Sequence, residues 1–223
     1  NPPYYAKQFE AWGLAKAKDL YAYDIDPSKV KFSDRLVAQS ERLKKKGLVT
    51  FRPVDIKNFE KEIDTILEIY NDAWEKNWGF FPMSRESFLH EAKVLKHILW
   101  PEFAFIAEVN GDPAGFMIIV PDYHHAFKAV GNGRLLPTGL FKILAAKSRL
   151  RSGRIMILGA KAEYRRRGIF ALFASEMFRR AKAFNLIGAE ASWILEDNDK
   201  LNRPLTSLGV EAYRRWRIYD RPI

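Results

Sequence analysis

Residues 103 to 120 read FAFIAEVNGDPAGFMIIV, two apolar, β-prone runs joined through Asn110-Gly111. Asn and Gly tolerate positive φ at little cost, and a tight two-residue turn between strands requires that conformation. The stretch therefore predicts an antiparallel β-hairpin in the middle of the chain. Any fold that contains it is built around a sheet with antiparallel pairing.

The surrounding patterns supply the other elements. Residues 28 to 46, rich in Lys and Arg, read as a connecting helix ending at Gly47, and LVTFRPV follows as a strand. Phe59, Ile63, Ile66, Leu67, Tyr70 and Trp74 then recur at spacings of three and four, one apolar face of an amphipathic helix that ends near Gly79. Ser84 is placed to cap a second helix running to about Ile98 and stopped before Pro101. Between these helices NWGFFP reads as a loop. Its Trp78, Phe80 and Phe81 suit either an apolar substrate entrance or ordinary core anchoring. Beyond the hairpin come Tyr123, His124 and His125, then a basic helix from about Pro137 to Arg149 and a buried strand, RIMILGA. KAEYRRR leads into a helix from near Gly168, with Phe170, Phe173, Ala174, Met177 and Ala181 on one face. IGAEASWIL is the next strand, NRPLTSLG a short helix closed by Gly209, and VEAYRRWRIYDRP the last strand.

Charge is concentrated in one part of this order. Of a net charge of +10 over 223 residues, the segment from Arg134 to Lys182 contributes thirteen Lys and Arg against Glu163 and Glu176 alone. A field of that sign favours a polyanion: a phosphorylated cofactor, a nucleic acid or an anionic membrane surface. The absence of cysteine excludes disulfides, thiol nucleophiles and Cys-based metal sites. The four histidines lack metal-ligand spacing, so no metal is expected. With 48% hydrophobic residues and no secretory or membrane-spanning run, the chain reads as a globular protein of the cytoplasm.

The arginine run Arg165, Arg166, Arg167 stands between a buried strand and the glycine that opens a helix. The first turn of a helix carries unpaired backbone N–H groups and partial positive charge. Gly168, without a Cβ, lets a ligand approach the backbone. Adjacent guanidinium groups would add charge-assisted hydrogen bonds to a pyrophosphate. The alternative is a solvated surface turn; the strand before and the amphipathic helix after favour a phosphate site. Neither a P-loop nor a dinucleotide-binding glycine fingerprint is present.

Arg165-Arg166-Arg167-Gly168-Ile169-Phe170 resembles the acetyl-CoA signature of the GNAT acyltransferase superfamily, R/Q-x-x-G-x-G/A. The order of strands and helices over about residues 47 to 223 follows that superfamily too. YNDAWEKNWGFFP, GAKAEYRRRGI and SWILEDNDKLNRPL look like an uncharacterised bacterial group with tandem GNAT halves. The resemblance implies an α+β fold with a mixed, mostly antiparallel central sheet flanked by helices on both faces. It implies acetyl-CoA or another acyl-CoA as substrate, with amides from Arg166 through Ile169 to Phe170 on the pyrophosphate. Leu158 and Ala160 would pair with the pantetheine arm, and Asn202 would contact it. The chain departs from the pattern at Phe170, which replaces the final Gly/Ala, and at Leu205, where many members carry a tyrosine acid. A third departure is the thirty or so residues from 121 to about 154, where a typical member has a short turn.

The implied activity is N-acyl transfer to the amine of a small or amino-acid-like acceptor. Glu196 is the candidate base, with pairing to a nearby cation as its other reading. Asp197 would point to the opposite face if the strand persisted. Tyr213 and Tyr219 are replacement candidates for the missing acid. Two further classes remain open: a catalytically silent CoA-binding or scaffolding module, and a basic surface for membrane or nucleic acid.

The chain also matches itself. FEAWGLAKAKDLYAYD near the start resembles LTSLGVEAYRRWRIYD at the end, with Leu14 against Val210, Tyr23 against Tyr219 and Asp24 against Asp220. This repeat suggests three segments: residues 1–24 as the tail of a preceding GNAT-like half, 25–46 as a linker, and 47–223 as the acyltransferase-like domain. A missing N-terminal half would then be a partner.

Overall fold

A computed structural model of the chain describes residues 2–45, 47, 49–131, 133–165 and 168–221. Seven strands form one sheet: β1 (Ala15–Ile25), β2 (Val49–Pro53), β3 (Ala104–Val109), β4 (Asp112–Pro121), β5 (Ser152–Ala160), β6 (Gly188–Leu195) and β7 (Ala212–Asp220). Their spatial order is β2-β3-β4-β5-β6-β1-β7, and only the β5–β6 pair is parallel. The expected hairpin is β3–β4, with Asn110 and Gly111 at φ 54° and 91°.

Among the described residues eight α-helices accompany the sheet: α1 (Tyr4–Ala11), α2 (Asp34–Lys45), α3 (Phe59–Trp74), α4 (Arg85–Leu95), α5 (Tyr123–Val130), α6 (Gly139–Lys147), α7 (Ile169–Ala183) and α8 (Asp199–Ser207). The apolar stripe of α3 buries Ile63, Ile66 and Ile69 against Ile106, Phe116 and Ile118. The other face of the same strands packs Phe105, Met117 and Ile119 on Ile169, Phe173 and Met177 of α7. β3 and β4 are thus covered on both sides, which is why their sequences are apolar without alternation. Ser84 caps α4 by accepting from the Ser87 N–H at 3.2 Å. Helix α5 was not anticipated. It is a short helix started by Asp122, whose carboxylate accepts from the His124 N–H at 3.0 Å.

The N-terminal strand is integral to the sheet. β1 lies between β6 and β7 and pairs antiparallel with both. Tyr23 and Ile25 join Ala191, Ile194, Leu208 and Val210 in a third apolar cluster, against which Val30 and Phe32 of the following segment pack. Buried Asp19 binds this corner together, its two carboxylate oxygens accepting from Arg217 Nε and Nη2 at 2.8 and 2.9 Å.

Candidate active site

Two parallel strands that separate create an opening in the sheet. β5 and β6 pair from Ser152↔Gly188 to Ile155↔Ala191 and no further. Beyond that point each keeps only its outer neighbour, β4 or β1. A cavity of about 910 Å³ fills the gap, lined by Met156 to Ala160 on one side and Ser192 to Leu195 on the other. Its walls are largely apolar and include Leu20, Phe178, Leu205 and Ile218. Gly159 admits the indole of Trp74, since a Cβ there would lie 2.4 Å from Trp74 Cζ3. Trp78, Phe80 and Phe81 stand at the mouth, Phe81 being 84% exposed, so the NWGFFP loop lines the cleft.

The start of α7 meets one end of this cleft. Gly168 adopts φ 79° and ψ 18°, a left-handed conformation that a glycine takes without strain. The amides of Ile169 and Phe170 follow in the first turn, where N–H groups have no intrahelical acceptor. Phe170 lines the cavity while packing on the core beneath α7. Arg165 turns inward: its Nε donates to the Ala160 carbonyl at 2.7 Å and its Nη2 to the Asp72 carbonyl at 3.0 Å. It braces the loop against α3. Arg166 and Arg167 lie outside the described residues. Other cations of the basic segment are paired within the fold: Lys161 with Glu68 at 2.6 Å, and Arg179 and Arg180 with Glu176 at 2.7 Å.

Glu196 and Asp197 diverge at the end of β6. Glu196 accepts from Lys16 Nζ at 2.6 Å and from the Asp19 N–H at 3.1 Å, and it is not among the residues lining the cavity. Asp197 does line it, accepting from Lys18 Nζ at 2.8 Å. The ladder ends at Leu195, so strand alternation no longer governs which side these carboxylates face. The Lys18 ammonium holds the Asp197 carboxyl below the usual carboxylate range. Lys18 also sits 5.9 Å from the centre of the Trp78 ring, which places a cation at the mouth.

The remaining sequence candidates lie off the cleft. Asn202 is buried; its Nδ2 donates to the carbonyls of Leu195 and Glu196 at 2.9 and 3.1 Å, and its Oδ1 accepts from the Tyr23 hydroxyl at 3.0 Å. It shapes the exit from β6. The Tyr213 hydroxyl donates to Glu190, and burial together with that carboxylate pushes the phenol up to about 12. Tyr219 packs on Phe9 at 5.2 Å between ring centres. Leu205 lines the cavity and offers no proton. Sequence reasoning missed Leu20, which lines the cleft, and Lys18, which bonds Asp197 and faces Trp78 at its mouth; both come from β1, a segment read as the tail of something else. The two-residue spacing of Lys18 and Leu20 along the strand was the available signal, Lys16 being set off from them by a β-bulge. It indicates one face without saying what that face meets.

No model of a protein family matches the chain. It is 34% identical to Protein YghO of Escherichia coli (strain K12), over 99% of this chain and 57% of that protein. It is 30% identical to the bacterial ceramide synthase of Caulobacter vibrioides, over 100% of this chain and 59% of that protein. The chain thus spans less than two thirds of these curated relatives. Among solved structures, a GCN5-related N-acetyltransferase from Sphaerobacter thermophilus superposes with a TM-score of 0.61 over 96% of this chain and 55% of its own, at 15% identity. Among the described residues no group of three or more His, Asp or Glu could hold a metal ion. The parallel pair that splays, the glycine-led helix beside it and the mostly antiparallel seven-stranded sheet are together the fold of the GCN5-related N-acetyltransferases, and this chain has that fold.

Proposed function

We propose that the chain is an acyl-CoA-dependent N-acyltransferase of the cytoplasm whose acyl donor and amine acceptor are long-chain and lipid-like. The observation that carries this reading is the splay of β5 from β6 into an apolar cavity of about 910 Å³, opening beside the N-terminus of α7. Amides of Gly168, Ile169 and Phe170, with Arg166 and Arg167, would hold the CoA pyrophosphate. Backbone groups of Leu158 and Ala160 along the freed edge of β5 would take the pantetheine arm and polarise the thioester carbonyl. The amine nitrogen attacks that carbonyl, a C–N bond forms and the C–S bond breaks. The proton leaving nitrogen passes to a carboxylate or water, and the CoA thiolate takes one up. Asp197 is the carboxylate we assign to the amine, because it faces the cavity; Glu196 positions it by anchoring the end of β6 to β1. The apolar wall and the ceramide synthase among the relatives support a long-chain amine over the small or amino-acid-like acceptor expected from sequence.

Thermal melting with acetyl-CoA and with a long-chain acyl-CoA tests the donor site. A ligand that binds only the native state raises the melting temperature. The expected result is a rise, larger for the long chain, that is lost in Arg166→Ala/Arg167→Ala and reduced in Gly168→Ala. No rise with either ligand overturns the reading. Leu205 favours a second reading, a CoA-binding module without turnover. Release of the CoA thiol in the presence of a long-chain amino alcohol separates the two, on a chain that has no cysteine to interfere.

The repeat at the two ends supports an arrangement in halves. Gly13 and Gly209 share a positive φ, 80° and 78°, and each links a helix to a strand, α1 to β1 and α8 to β7. Leu20 and Trp216, each seven residues past its glycine, are paired directly across the β1–β7 ladder. The two matching strands are therefore related by a local twofold axis through that pair. We assign α1 and β1 to the closing element of a preceding GNAT-like half that has exchanged strands with this one, leaving the outer edge of β7 to pair with the other half.

A further inference from the structure

The segment from Asp122 to Arg154 belongs to none of the machinery above. It does not line the cavity, and α5 and α6 pack chiefly on each other at the end of the sheet away from the splay. Ala126, Val130 and Leu150 are buried, but its larger apolar side chains point outward. Phe127 is 55% exposed, Leu136 70%, Phe141 69% and Leu144 57%, with Leu135 and Leu140 exposed beside them. A run of this size on a short helical hairpin is the kind of apolar surface that marks a lipid or protein contact.

Charge distinguishes the two. The segment carries seven Lys and Arg: Lys128, Arg134, Lys142, Lys147, Arg149, Arg151 and Arg154. Its one acidic residue, Asp122, is engaged in capping α5. Among the described residues, no carboxylate pairs with Lys128, Lys142, Lys147 or Arg149, in contrast to Lys161, Arg165, Arg179 and Arg180. Exposed Leu and Phe interleaved with unpaired cations suit an interface that is apolar below and anionic above. An anionic bilayer surface has that layering. A nucleic acid would meet the cations but leave the leucines in water. No helix among the described residues is long and apolar enough to cross a membrane.

We propose that the α5–α6 hairpin docks the protein on the surface of a bilayer containing anionic lipid, with Leu136, Phe141 and Leu144 entering the headgroup region and Lys142, Lys147 and Arg149 meeting the phosphates. Docking there would hold the molecule where long-chain amines reside, and in this respect the inference extends the lipid-acceptor reading. The two can fail separately, since vesicle binding reports on the hairpin and CoA-dependent melting on the cleft.

Co-sedimentation with vesicles of phosphatidylcholine containing phosphatidylglycerol, beside vesicles of phosphatidylcholine alone, tests the proposal. Binding is expected to the anionic vesicles, to weaken with added salt, and to fall about tenfold or more in Phe141→Asp/Leu144→Asp. Both side chains are exposed, so the variant should melt at the temperature of the parent. Lys142→Glu/Lys147→Glu should lose the preference for anionic vesicles in the same way. Failure of the parent chain to sediment with anionic vesicles overturns the proposal. So does binding that the aspartate variant leaves undiminished. A concentration-dependent dimer that the variant disrupts, without vesicle binding, would also overturn it and give the face to protein contact.

Discussion

Asp19 shows how a single side chain can decide the geometry of a site it does not touch. It is 1% exposed, and the Arg217 guanidinium beside it, with Lys16, holds its carboxyl at about 2 against 3.8 ordinarily. Its backbone N–H donates to Glu196 and its carbonyl accepts from the Glu196 N–H, so the end of β6 is fastened to β1 at this point. Because the folded chain titrates this carboxyl lower than an unfolded one, its contribution is fully present above about pH 4 and is lost as the pH falls toward 2. The stake is roughly 2 kcal/mol. Asp19→Asn would leave Arg217 without its counter-charge, Lys16 keeping Glu196, and should destabilise the chain by about 3 kcal/mol, read as a lower urea midpoint, while flattening the acid limb of its pH–stability profile. A midpoint unchanged from the parent would show the cluster to be a solvated surface group. The sequence did not single out Asp19: an Asp inside an alternating basic strand looks solvent-facing until Arg217, nearly two hundred residues away, is brought opposite it.

At the scale of elements, what was legible followed locality. The β3–β4 hairpin, the capped α4, the apolar face of α3 and the glycine before α7 each declare themselves within one short window, because their hydrogen bonds and periodicity are local. The position of β1 did not. Its pairing with β6 and β7 joins segments at opposite ends of the chain, and no local pattern encodes such a partner. That register is open to a direct check. Leu20 and Trp216 face each other across the ladder, and antiparallel partners lie within the Cα separation that a disulfide spans. Leu20→Cys/Trp216→Cys, in a chain with no other cysteine, should oxidise to a monomeric cross-linked species that migrates faster on a non-reducing gel. A Lys18→Cys/Trp216→Cys pair, two residues out of register, should close far less readily; equal closure would refute the ladder as drawn.

At the scale of the whole molecule the sheet has two margins, β2 and β7, and the proposed arrangement in halves gives a partner to the second. β7 is the last strand in the sheet order, and its Tyr213, Arg214 and Arg215 are exposed. Unpaired edges of this length invite another strand. In the longer E. coli relative, hydrogen exchange should therefore be slow along the strand corresponding to β7. In the present chain alone, the β7 amides directed away from β1 should exchange fast. Fast exchange in both proteins would mean that the edge is open by design and that the halves do not share a sheet.

The sequence by itself determined most of the elements and their order: the hairpin turn, the helix starts, the glycine before α7 and the repeat at the two ends all rest on local backbone chemistry. Tertiary structure alone decided the contacts that make the site. It set where β5 and β6 part, inserted β1 beside them, drew Arg165 inward to Ala160, and turned Asp197 toward the cavity while fastening Glu196 to Lys16. The reason is physical: a side chain's role depends on where its strand stops and on which distant charge is brought opposite it. Neither is written in the residues on either side of it.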